Sequence, residues 1–451
     1  MVRFLYMIVT ILVAFSFIGI EGKNSSFWVD SVFSLLIVLS AYGMFNDSKR
    51  PFSLFKMVNL FFLFFLAVAP VVQFKKNIKM WGGEPFTESD YVFTGIVLVV
   101  ILLLFHFFYN YALSRKNDSF FVIRYFKNRN PRKIGGLKKI LIIVLTIFNF
   151  LVIFRTYDFN VLKMFVRAED VVGVTTSEMS TSSKLIFSFF LRPMNMLLFL
   201  SCYVLKIGGK MFHAYLLFAA VVTLFPTAVP RFSLAATYIP LMLITMKVFK
   251  KKDVFVLLLS FALLVVWPFL NQFRYFTTAE SVSLKLDLEL FEAGDMDTFS
   301  SLLRVMKFDI VTYGNQLLGN IFFFVPRSIW QSKPDGSGSF LCDQCSLTFD
   351  NISCNYFAEG YINFGFIGIL LFTFFMAFIS AKLDGFYWRE KNGGLSDVFY
   401  CLCIGFIIFI LRGDILSAIS YFIGFSLSLF VVSILLTKKA RIQSLDSLRE
   451  I

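Results

Sequence analysis

Leu54-Phe55-Lys56-Met57-Val58-Asn59-Leu60-Phe61-Phe62-Leu63-Phe64-Phe65-Leu66-Ala67-Val68-Ala69-Pro70-Val71-Val72-Gln73-Phe74 carries one charge, Lys56, in an otherwise apolar run. As a helix it would be roughly 30 Å long, which matches the hydrocarbon core of a bilayer. Runs of the same kind lie at 4–20, 31–46, 91–113, 137–154, 185–205, 211–229, 232–249, 254–272, 362–381, 397–411 and 415–436. This pattern predicts an all-α, polytopic integral membrane protein with about twelve spans in a single membrane domain, 1–451. The second and eleventh runs are the short ones. Arg3 precedes the first run and no small-residue cleavage pattern follows it, so it reads as a first helix and not as a removed signal.

Composition agrees: 58% of residues are hydrophobic, 16% are charged and the mean hydropathy is +0.75. The net charge of +14 does not imply nucleic acid, because the basic residues sit in short clusters between apolar runs, where they set membrane orientation. Cys342, Cys345 and Cys354 fall together in one loop without the histidine or fourth cysteine that zinc would need. In an oxidising compartment they predict one disulfide with one thiol left over.

Strict alternation of the spans gathers Lys49/Arg50/Lys56, the dense run Arg115 to Lys139, Lys206/Lys210, Lys247 to Lys252, Lys382 to Lys391 and Lys438 to Arg441 on one side. By the positive-inside rule that side is cytoplasmic, with both termini. Two long segments then face outward, 155–184 and 273–361. The first begins with an amphipathic stretch, Tyr157 to Val172, suited to the interface. In the second, Phe299, Leu302, Leu303, Met306 and Ile310 form one apolar helical face with Arg304 and Lys307 off it. Leu317 to Val325 is too short to span and is expected to dip into the outer leaflet.

Orientation does not explain Arg155, Arg167, Arg192, Arg231, Arg274, Arg327 and Arg412, all near outer helix ends. A guanidinium in a membrane usually faces a polar cavity, a carboxylate or an anion, and its planar fork matches phosphate oxygens. Snorkelling, or pairing with Asp158, Glu169, Asp170 or Asp414, is the plainer alternative for each. His106 and His213 fall toward inner helix ends and read as ordinary helix residues. No nucleotide or metalloprotease motif occurs, and the short first outer loop, Glu21 to Asp30, lacks an adjacent acidic pair, so neither metal nor cofactor is indicated.

The outward segments contain Pro230-Arg231-Phe232-Ser233, Pro268 to Arg274, Phe324-Val325-Pro326-Arg327-Ser328-Ile329-Trp330-Gln331-Ser332-Lys333-Pro334, Glu359-Gly360-Tyr361-Ile362-Asn363-Phe364-Gly365 and Arg412-Gly413-Asp414. In this order, and in topology along nearly the whole chain, the sequence resembles the Wzy-type O-antigen polymerases of bacterial inner membranes. The resemblance implies a GT-C-like membrane glycosyltransferase acting at the periplasmic face on undecaprenyl-pyrophosphate-linked oligosaccharide, with a polysaccharide chain-length regulator as a further partner. It implies no nucleic-acid partner. For that reaction Arg327 first, then Arg231, Arg274 and Arg412, are the residues to stabilise a pyrophosphate leaving group, with Lys333 adding a contact and Arg155 opening the set. Glu359 is the candidate general base, its alternative role being a helix N-terminal charge. Asp309 and Asp414 stand behind it, and Asp414 is equally a partner for Arg412. Trp330, Tyr356 and Tyr361 suit sugar stacking or simply the membrane interface. Gly360, Gly365 and Gly368 fit close backbone packing. An O-antigen ligase or a lipid-linked oligosaccharide flippase would share part of this pattern.

Overall fold

The computed structural model describes residues 2–115, 121–132, 135–157, 159–160, 186–225, 229, 231–251, 253–267, 288–349, 352–389 and 393–439. It is helical almost throughout, and the only sheet among these residues is an antiparallel pair, Arg129–Pro131 with Thr437–Lys439. Eight helices are long and apolar enough to cross a membrane, making this a membrane-embedded, all-α protein. They are Phe27–Asn46 (α2), Leu54–Lys76 (α3), Glu88–Ser114 (α4), Gly136–Thr156, Ile186–Val204, Tyr356–Arg389, Leu395–Arg412 and Ile415–Leu436. Four shorter apolar helices, Val2–Ile18 (α1), Lys210–Thr223, Phe232–Thr245 and Val254–Val266, occupy the first, seventh, eighth and ninth expected runs. The second and eleventh runs, expected to be short, are 20 and 18 residues long. The second gains a turn because the Ser26 hydroxyl accepts from the Val29 amide and starts the helix at Phe27, before Asp30.

The chain divides into two compact units. One comprises Met1–Asn117, Met246–Trp388 and Phe406–Ser420; the other comprises Asp118–Thr245, Arg389–Gly405 and Tyr421–Ile451. In the first unit α3 is the axis, and its side chains are buried from Leu54 to Lys75. A helix buried all round has no polar face to display, which is why the sequence there is apolar without periodicity. The helix opens into a π turn at Phe62–Val68 just before Pro70. The Ala69 amide reaches back to the Phe64 carbonyl, shifting the hydrogen-bond register ahead of a residue that has no amide to donate. Asp384 accepts from the amides of Leu54 and Phe55 (2.9 and 3.1 Å), capping α3 from 330 residues away.

The connections of this unit meet in two groups. In one, Asn24 donates to the Lys75 carbonyl, Lys307 pairs with Asp90, Trp81 with Asp297, and Arg412 with Asp295. In the other, Asp253 holds both Arg3 and Lys56, and Arg50 bonds Tyr109, which bonds Asp384.

Two expectations in the long segment are corrected. Arg304 lies within Thr298–Lys307 (α5) and is 2% exposed, not off the buried face. The loop after α3 folds over it: Nη2 donates to the carbonyls of Met80 (2.5 Å) and Gly82 (3.0 Å), and the Phe86 ring lies 5.3 Å away. Burial pushes its pKa down. Cys342, Cys345 and Cys354 are free thiols, and Cys342 donates to the Phe349 carbonyl instead. The apolar Leu317 to Val325 stretch forms the helix Asn315–Ile321 (α6) and a turn, with Leu318, Ile321, Phe322 and Phe324 exposed.

Candidate functional site

The block Ala358 to Gly365 does not precede a helix but forms one. Asn355 starts it by accepting from the amides of Phe357 and Ala358 (2.9 and 2.8 Å), and its own amide group donates to the Thr298 carbonyl (2.6 Å). The helix stops at Phe364 and Gly365, where the backbone is non-helical, and resumes toward Arg389. Gly365 has φ 61° and ψ −146°, a region that essentially only glycine occupies. The break folds the two pieces so closely that a methyl group on Gly368 would overlap the Gly360 carbonyl oxygen, and one on Gly360 would lie 2.9 Å from the Gly368 oxygen. Close backbone packing is therefore the role of Gly360 and Gly368.

This turn of helix carries three polar side chains in three directions. Tyr361 donates to Asp309 (2.7 Å). Asn363 accepts from the Leu317 amide (2.8 Å) at the start of α6. Glu359 is 0% exposed; its Oε1 accepts from the Ile415 amide (3.1 Å), and its Oε2 from the Ser337 hydroxyl (2.8 Å) and the Asn320 side chain (3.5 Å).

Asp414 stands beside it and makes the matching set. It accepts from the Gly338 amide (3.2 Å) and the Ser417 amide (3.3 Å). The two carboxylates thus share the N-termini of Ser337–Cys345 (α7) and Ile415–Leu436 crosswise, each taking one donor from each helix. Helix N-termini carry partial positive charge and unsatisfied amides, so they compensate buried carboxylates without a lysine or arginine. Asp414 is the more open of the pair, and burial still holds it above the usual carboxylate range. Its charge acts on Glu359.

Arg412 is not the partner of Asp414. Its Nε donates to the Asp295 carbonyl (2.8 Å) and its Nη2 to the Gly294 carbonyl (3.1 Å), with the carboxylates of Asp295 and Asp297 at 3.5 and 3.8 Å. Asp297 also accepts from Trp81 and from Ser353, so the turn that receives Arg412 is itself pinned.

The PR-x-x-W-x-x-KP stretch closes on itself. Arg327, its side chain 53% exposed, donates to the Lys333 carbonyl (2.8 Å) and pairs with Asp335. Lys333 donates to the carbonyls of Phe323 (2.6 Å) and Val325 (3.1 Å), and burial pushes its pKa down. The Trp330 indole donates to the Ser332 hydroxyl (3.1 Å). The loop docks through Pro334 against Gly319, the residue before Asn320, and so reaches the Glu359 cluster through one helix turn.

Of the remaining candidates, Arg155 is exposed in the last turn of Gly136–Thr156, in the other unit. Arg231 opens the helix Arg231–Thr245 there, and Arg192 donates to Tyr157 (2.7 Å) in the same unit. Arg274, Arg167 and most of the amphipathic stretch after Tyr157 lie outside the described residues. Asn320, Ser337, Asp295 and Asp297 complete the cluster and were not singled out by sequence. Among the described residues no group of three or more His, Cys, Asp or Glu is placed to hold a metal ion. The chain matches no family model, no curated protein and no solved structure.

Proposed function

We propose that this chain is an O-antigen polymerase of the Wzy type, with about twelve spans, a GT-C-like fold and its site on the outward face. It would join undecaprenyl-pyrophosphate-linked oligosaccharide units by transferring the growing chain to the non-reducing end of the incoming unit. The observation that carries the reading is the Glu359–Asp414 pair. Two carboxylates from blocks 55 positions apart, both in motifs of the resemblance, meet at two helix N-termini. Their neighbour Arg412 is held on an acidic turn that an anion can replace.

The geometry changes the assignment of roles within that reading. A general base must reach the acceptor hydroxyl. Glu359 has no exposed surface, whereas Asp414 is partly open, so of the two only Asp414 can meet an acceptor hydroxyl. Asp414 takes the acceptor proton and Glu359 stands behind it. Pyrophosphate departs as an anion and needs no acid; Arg412, with Arg327 at the rim, offsets the charge that grows on it.

The test is the surface-polysaccharide gel profile of a deletion strain complemented with wild type, Asp414→Asn or Arg412→Ala, with protein abundance measured alongside. The reading expects single-repeat material from both variants at normal abundance. Wild-type chain lengths from both would end it. Loss of all repeat-bearing material in the deletion strain would instead indicate a flippase, and polymer retained on the lipid carrier a ligase.

A further inference from the structure

Away from the Glu359 cluster, the first unit contains a cavity of ≈ 320 Å³ that the proposed reaction does not use. Tyr42, Asn46 and Asp47 line it at the end of α2, Arg50 and Phe55 on the way into α3, and His106, Tyr109, Asn110 and Leu113 on α4. Its volume falls in the range of small-molecule sites. Its lining carries one cation and one anion. Arg50 Nη1 lies 3.1 Å from Asp47 Oδ2 and donates to the Tyr109 hydroxyl (2.8 Å). Nε and Nη2 of Arg50 have no hydrogen-bond partner among the described residues. Asn46 donates to the Tyr42 hydroxyl (2.7 Å), which leaves its carbonyl oxygen as an acceptor.

The two helices that flank the cavity carry exposed apolar stripes, and that of α2 reaches its lining at Tyr42. On α2 these are Leu35, Val38 and Tyr42; on α4 they are Val100, Leu103, Phe107 and Tyr111. The spacing of three to four residues puts each stripe on one helix face. Both helices are long and apolar enough to cross a membrane, so these stripes suit acyl chains.

We propose that this cavity binds a zwitterionic phosphate ester bearing a primary ammonium, the phosphoethanolamine head group of a membrane lipid, with its acyl chains along the α2 and α4 stripes. A net anion would gain Arg50 but face Asp47, and a net cation would meet the reverse. A zwitterion satisfies both: phosphate oxygens on the free donors of Arg50, ammonium protons on Asp47 and the Asn46 carbonyl. The ring of Tyr42 adds cation–π attraction. This inference does not depend on the proposed transferase activity.

The experiment titrates the full-length protein in detergent with short-chain phosphatidylethanolamine, phosphatidylglycerol, phosphatidylcholine or free phosphoethanolamine, reading the thermal midpoint. Phosphatidylethanolamine is expected to give a saturable rise at concentrations about tenfold or more below the other two lipids, since each charge-assisted hydrogen bond lost costs about that much affinity. Saturation by free phosphoethanolamine at a similar concentration would overturn the lipid as its source. Asp47→Asn should weaken the preferred lipid about tenfold. Leu113→Trp, which fills the cavity and removes no polar group, should abolish its effect. Equal responses to the three lipids, or an unchanged preference in Leu113→Trp, would refute the site.

Discussion

Glu359→Gln separates a structural carboxylate from one that works on its neighbour. The native side chain accepts three hydrogen bonds, one at Oε1 and two at Oε2. Placing the new amide oxygen toward the Ile415 amide keeps the first. The amide nitrogen then faces the Ser337 hydroxyl, which can rotate to accept, and the Asn320 side chain, which can flip to present its oxygen. The loss is the difference between charged and neutral hydrogen bonds, on the order of 1–2 kcal/mol, offset by no longer burying a charge. Glu359→Ala offers no such repair and strands those donors in a fully buried site, costing about 3–5 kcal/mol. The Gln variant should therefore accumulate normally where the Ala variant does not. Its signature lies in pH. The two carboxyls interact electrostatically, so losing the charge at Glu359 favours the ionised form of Asp414 and the acid limb of polymerisation by membrane preparations should move to lower pH. If Glu359→Gln is as depleted as Glu359→Ala, or if the acid limb does not move, Glu359 is a helix cap and nothing more.

Three further outcomes follow from the same geometry. Asp414 has a folded pKa above its unfolded one, so the stability it contributes is full below the ordinary carboxylate range and is lost as pH rises through the raised value. Asp414→Asn should flatten that decline in a thermal melt against pH while stopping polymerisation; an unchanged slope would remove the assignment. Gly368→Ala must force the broken helix apart at Gly360, and should lower stability by about 1–3 kcal/mol; a melt within error of wild type would contradict the packing. Arg412→Ala should shorten polysaccharide more severely than Arg327→Ala, because Arg327 is tied to its own loop, and Arg327→Lys should recover only part of any loss if fork geometry matters. The reverse order on the gel would restore Arg327 to first place.

The helices were legible because their signal is local. Each apolar run from Phe27 to Leu436 has a helix on it. The ends were less so. Phe27 to Asp30 joins α2 because Ser26 caps it, and the helix begun at Tyr356 is divided by the conformation of Gly365, which no hydropathy pattern records. Partners across the chain were not legible at all. Spacing on α5 says that Arg304 is off the apolar face, but the loop that covers it comes from residues 80–86. In the same way, Arg412 and Asp414 are two residues apart and look like a pair until Gly294 to Asp297 is placed beside the first and α7 beside the second. The motifs that carry Glu359 and Asp414 do meet in the fold, but the contacts within that cluster are not the ones spacing suggests.

How the carboxylates are neutralised bears on what the site can do. Had Arg412 paired with Asp414, base and cation would each have held the other in its ground state, and a substrate would have had to break that bond to use either. Helix N-termini supply fixed partial charge that cannot swing away, so Glu359 and Asp414 keep these donors whatever enters. Arg412 is held on carbonyls and on carboxylates at 3.5 and 3.8 Å, looser than its two carbonyl contacts at 2.8 and 3.1 Å. In the proposed reaction its acidic partners would be the ones an incoming pyrophosphate competes with, while the carbonyls keep the guanidinium oriented. The arrangement thus keeps a carboxylate and a guanidinium close in sequence without letting them cancel, as the proposed transfer from a pyrophosphate to a hydroxyl would require.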